Sequence, residues 1–152
     1  MRRTRQGDFE LRLAADERDV LRSLPGQIRD VLASSSGLDD PAIARLNPTA
    51  YPDDPEFDAE YRRLMSEDLD AGRLAALQTL GDSVDARRLD EPQALAWLRA
   101  LNDMRLLVGT RLDVSEDPDE RRVAADDPRA PALALYDYLS LLEQDLVEAL
   151  AE

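Results

Sequence analysis

The sequence predicts an all-α fold, a single-domain bundle of about five helices with a short N-terminal strand. Three observations carry this reading. Leu (26) and Ala (21) dominate while Val, Ile and Thr together number 13, a balance that favours helix over sheet. Apolar residues recur at three- and four-residue spacing over long stretches. Capping and breaking residues, among them Asp40-Pro41, Asp54-Pro55, Gly81, Asp90 and Asp127-Pro128, divide those stretches from one another. A single domain of 152 residues buries roughly 68 to 70% of its unfolded surface, enough for a core without disulfides or metal.

Residues 1–8 read as a basic, flexible tail, with Arg2, Arg3 and Arg5 against Asp8. Phe9, Leu11 and Leu13 then alternate with Glu10 and Arg12, the pattern of a short strand over 9–13. A lone strand leaves its backbone groups unpaired, so it needs a partner from elsewhere in the chain or from a second copy in a homo-oligomer. The first helix is expected from an N-cap at Asp16 to about Ala33, through Val20, Leu24, Ile28, Val31 and Leu32. Pro25-Gly26 should kink it or split it into two half-helices, because proline removes one backbone hydrogen bond and clashes with the preceding turn. Asp40-Pro41 opens one or two turns through Ile43 and Leu46, which Asn47-Pro48 closes.

Asp54-Pro55 opens a longer helix with apolar positions Phe57, Tyr61, Leu64, Met65, Leu69, Leu77 and Leu80. Gly72 allows a break in its course, and Gly81 is the expected stop. Asp90 and Gln93, three apart, form a capping-box-like pair ahead of Leu95, Trp97, Leu98, Leu101, Met104, Val108 and Leu112. That helix, about 30 Å long if unbroken, is the expected central packing element. After an acidic loop, 113–127, the last helix carries the stripe Leu135, Tyr138, Leu139, Leu142, Leu146 and Leu150.

Composition limits the chemistry. The chain has no His and no Cys, and all 19 of its basic residues are Arg, so Lys is absent too. Imidazole bases, thiolate nucleophiles, zinc knuckles, Schiff bases and phosphate-binding lysines are therefore unavailable. No catalytic residue, cofactor site or metal site is indicated. The acid clusters Asp53, Asp54, Glu56, Asp58, Glu60 and Asp113, Glu116, Asp117, Asp119, Glu120 lack calcium-loop spacing and read as helix-start charge and solvated loop. A formal charge of -14 repels phosphate backbones and anionic lipids, which disfavours direct DNA binding except through Arg2, Arg3 and Arg5. No apolar run is long enough to span a membrane, and a cytoplasmic protein is expected.

In the central helix, Arg105 follows Leu101 by four and Leu98 by seven, which sets a guanidinium on the apolar face. It should be paired with a carboxylate of a neighbouring helix. Gly109 should mark a close helix crossing or the helix end, and Arg111 could reach outward to a partner.

The run from Trp97 to Leu112, holding Trp97, Asn102, Asp103, Arg105, Gly109, Thr110 and Arg111, resembles the signature of the actinobacterial AosR-like family of oxidative-stress transcriptional regulators, long catalogued as a domain of unknown function. Asp40 to Leu46, Glu60 to Leu69 and Asp127 to Val147 are similar to it as well. The resemblance implies a helical, noncatalytic cytoplasmic regulator acting through protein partners of the transcription machinery. The alternative it implies is an adaptor linked to Clp proteolysis or sulfur metabolism. Thiol redox sensing needs cysteine, so this chain is expected to work without it.

Overall fold

The computed structural model describes residues 1–34, 53–112 and 126–152. Among them are three short strands, β1 (Arg2–Arg3), β2 (Phe9–Glu10) and β3 (Arg88–Leu89), and four helices, α1 (Ala15–Ser34), α2 (Pro55–Ser83), α3 (Glu91–Leu112) and α4 (Ala130–Ala151). The all-α class and the N-terminal strand agree with the sequence reading. The short helix expected after Asp40-Pro41 and most of the acidic loop lie outside the described residues.

The strand's partners come from the same chain. β2 lies between β1 and β3, antiparallel to both, with Arg2 opposite Glu10 and Phe9 opposite Leu89. Residues 1–8 are thus the first arm of a hairpin, not a trailing tail. Gly7, at φ 92°, takes the left-handed turn conformation that L side chains resist, and its N–H donates to the Thr4 carbonyl at 3.0 Å. Period-two alternation buries Phe9 and Leu11 and leaves Arg12 exposed.

Helix α1 begins one residue before the expected cap. Glu17, at the third helical position, accepts from the Ala14 N–H at 2.7 Å, half of a capping box that requires no side chain at Ala14. Pro25 lies inside α1, which continues as one helix and does not divide into two. Its ring is buried toward Gly81, where an added Cβ would stand 3.9 Å from the proline Cγ, so interhelix packing offsets the lost backbone bond.

Helix α2 opens as expected, with Asp54 accepting from the Phe57 N–H at 3.1 Å and Pro55 at the first position. It runs unbroken past Gly72 and past Gly81 to Ser83. Beyond Gly81 its end is met by an arginine. Arg18 of α1 donates to the carbonyls of Val84, of Ala86 at 3.2 Å and of Leu13 at 3.3 Å, satisfying the turn that a left-handed glycine would otherwise close. Helix α3 has the full reciprocal box. The Asp90 N–H donates to Gln93 Oε1 at 2.9 Å and the Gln93 N–H to Asp90 Oδ1 at 2.8 Å.

Helix α3 packs most extensively on α4 and α2, consistent with a central element. Trp97, Leu101, Met104 and Leu107 from α3 meet Leu77 and Leu80 from α2, Leu139 and Leu146 from α4, and Phe9 and Leu89 from the sheet. In α4 the buried stripe is Leu133, Tyr136, Leu139, Leu142, Leu146 and Ala149, so Leu135, Tyr138 and Leu150 flank the core. Val20, Phe57, Tyr61 and Leu95, expected on apolar faces, are exposed; the spacing finds a face but not how far its neighbour extends. The side chains of Val31, Leu32, Leu64, Met65, Leu69 and Leu112 lie outside the described set. No helix among the described residues is long and apolar enough to cross a membrane.

Candidate functional site

The signature block on α3 is mostly interior. Trp97 is fully buried, and its Nε1–H donates to Ser83 Oγ at 2.8 Å, while Ser83 in turn donates to the Thr79 carbonyl. This chain of donors satisfies the indole and ties α3 to the last turn of α2. Asp103 is buried against Arg73 of α2, with 3.8 Å between Oδ2 and Nε. Burial pushes the Asp103 carboxyl above the usual carboxylate range, opposed by the positive charges of Arg73 and Arg99. The Arg99 guanidinium lies over Gly72, where a Cβ would stand 2.7 Å from Nη1. Gly72 is therefore a seat for an arginine head, not a helix break.

Arg105 meets the expected carboxylate from a neighbouring helix. Its Nε lies 2.9 Å from Glu143 Oε2 of α4, and its Nη2–H donates to Asn102 Oδ1 at 3.2 Å. Thr110 Oγ1 donates back to the Leu106 carbonyl at 2.8 Å, and Gly109 is buried within the helix, which continues to Leu112. Gly109 is thus not the helix end. The side chain of Arg111 lies outside the described set. Trp97, Asp103 and Gly109, being buried, shape the bundle and present nothing to an outside molecule.

The N-terminal arginines separate into two kinds. Arg3 faces inward, 5.6 Å above the Phe9 ring and 3.7 Å from Glu91. Arg2 and Arg5 are exposed. Arg12, Arg88 and Arg2 surround Glu10 closely enough to hold its carboxyl below the ordinary value, with the Arg12 hydrogen bond the leading cause. Of the first acid cluster, Asp54 serves as a helix cap and Asp58 is buried. The second cluster lies outside the described residues. Among the described residues no three metal-binding side chains converge.

Sequence reasoning missed Arg18, Arg73 and Ser83. The signal was present for all three. Arg18 precedes Leu21 by three, Arg73 precedes Leu77 by four, and Ser83 follows Leu80 by three, the same face logic that singled out Arg105. It also missed Glu17, and it read Tyr138 only as part of the apolar stripe. The Tyr138 hydroxyl is buried beside the Glu17 carboxylate without a well-aligned hydrogen bond, and burial, then that negative charge, raise its pKa above the ordinary 10.0.

These features define a small all-α domain with an arginine-bearing hairpin and a signature helix locked by polar pairs to the helices on both sides. The chain belongs to the family described as Domain of unknown function (DUF2017), which matches residues 1–150. It is 31% identical over 182 aligned positions to the oxidative stress regulator AosR of Mycobacterium bovis, covering 95% of this chain and 83% of that one. The same figures hold for the protein of that name in Mycobacterium tuberculosis. An AosR relative from Mycobacterium leprae is 35% identical over 129 residues, and the match covers 74% of this chain and 59% of that relative's length. No solved structure matches the chain.

Proposed function

We propose that this chain is a noncatalytic cytoplasmic regulator that acts by binding a protein partner of the transcription machinery in the response to oxidative stress. The observation that carries the proposal is its 31% identity, over 95% of the chain, to relatives named oxidative stress regulators. Two features of the chain support it. The absence of His, Cys and Lys removes imidazole bases, thiolates and amine nucleophiles, and Asp103 and Arg105 of the signature helix are engaged with neighbouring helices. A chain without cysteine does not use a thiol switch.

Affinity purification from cells with and without peroxide, read by mass spectrometry, tests this. A transcription component enriched over a mock column is expected. Enrichment of Clp subunits alone would replace the proposal with the adaptor reading, and turnover of a substrate by the purified chain would overturn its noncatalytic part.

A further inference from the structure

We infer that the face where the start of α1 meets the outer side of α4 is a docking groove for a basic amphipathic helix of a partner protein, an assignment that rests on the partner-binding function proposed above. Two adjoining depressions of about 420 and 390 Å³ make up this face, and they share Glu17 and Tyr138. Val20, Ala134 and Leu135 floor the first; Leu11, Leu13 and Leu141 floor the second. Val20 and Leu141 are 41% and 66% exposed, apolar area left open to water on both sides of the shared tyrosine. Along α4 the lining runs from Pro131 to Glu148, roughly 26 Å at 1.5 Å per residue, the length of a helix of four to five turns.

Charge selects the occupant. The lining holds four acids, Asp16, Glu17, Asp145 and Glu148, against one arginine. That arginine, Arg12, is turned to Glu10 at 2.9 Å, and Asp145 is met by the Met1 ammonium at 3.1 Å. An apolar floor with an acidic rim fits a helix that carries leucine-type residues on one face and Arg or Lys beside them. A second copy of this chain is a poor occupant at a formal charge of -14. So are its own residues 35–52 and 113–125, with two acids to one base and five acids to two bases respectively.

The test uses the full chain and three labelled 17-residue synthetic peptides followed by fluorescence anisotropy. One places Leu at helical spacing flanked by Arg, one scrambles the same composition, and one replaces Arg by Glu. The patterned Arg peptide is expected to bind at least tenfold more tightly than the scrambled one, and the Glu peptide not to bind. Leu141→Asp, at an exposed site, and Glu148→Arg should each weaken binding about tenfold with an unchanged melting temperature. Equal binding of the patterned and scrambled peptides, or an affinity untouched by Leu141→Asp, overturns the groove. Lysate capture with the same variant separates the two proposals. If wild type and Leu141→Asp capture the same partner equally, the groove is wrong and partner binding stands; if wild type captures no protein, both fall.

Discussion

Removing the Ser83 hydroxyl should destabilise the protein by leaving a buried indole N–H without its acceptor. Trp97 is 0% exposed and Ser83 6% exposed, and the hydrogen bond between them is 2.8 Å long, so water cannot take the place of Oγ. Leaving such a donor unsatisfied costs about 1–3 kcal/mol. With a urea m-value of about 2 kcal/mol/M for a chain of this size, Ser83→Ala should lower the unfolding midpoint by roughly 0.5–1.5 M. The cost depends on the indole, so it should fall below about 0.5 kcal/mol in a Trp97→Phe background, where no donor remains. A double-mutant cycle isolates that difference from the volume lost in Trp97→Phe. Trp97 is the only tryptophan, which makes its emission a direct reporter in the Ser83→Ala arm; circular dichroism follows the tryptophan-free arms. Equal costs of Ser83→Ala in the two backgrounds would refute the claim that this hydrogen bond fixes α3 to α2.

Other expectations follow from the charged pairs. Arg18→Met should lower stability by about 2 kcal/mol, because three backbone carbonyls lose a charged donor; chemical denaturation measures it, and an unchanged midpoint would discard the capping role. Arg105→Ala and Glu143→Ala should each cost roughly 1–3 kcal/mol, with the double variant costing less than the sum; strict additivity would show that the pair does not interact. Asp103 has a folded-state pKa raised above its ordinary 3.8 by burial, so it binds its proton more tightly folded than unfolded. Its contribution is fully present below pH 3.8 and is lost as pH rises through the folded value. Wild type should therefore lose stability relative to Asp103→Asn as pH rises from about 4, and a flat or rising difference in paired melts would contradict the assignment.

Local chemistry was the part of the fold that the sequence made readable. The Asp90-Gln93 box and the Asp54-Pro55 start are set by side chains reaching their own backbone within one turn. Arg105 was readable because an ionic residue on an apolar stripe demands a partner, although only the structure identifies it as Glu143. The failures share a cause. Gly81 and Pro25 are strong punctuation in isolation, but Arg18 closes the α2 terminus from another helix and the buried Pro25 ring packs toward Gly81. Asp16 was displaced as a cap because Glu17 serves the Ala14 N–H. The groove between α1 and α4 could not be read at all, since its two walls lie more than a hundred residues apart in sequence.

The three-stranded sheet also bears on synthesis. Phe9 pairs with Leu89, so the middle strand waits for its second neighbour until eighty further residues have left the ribosome, roughly 4–16 s at 5–20 residues per second. Throughout that interval Phe9 and Leu11 also lack the α3 and α4 part of the core, among it Trp97, Leu101, Leu139 and Leu146. The nascent chain therefore passes through a stage in which this apolar segment is only partly covered and open to chaperones or to neighbouring nascent chains.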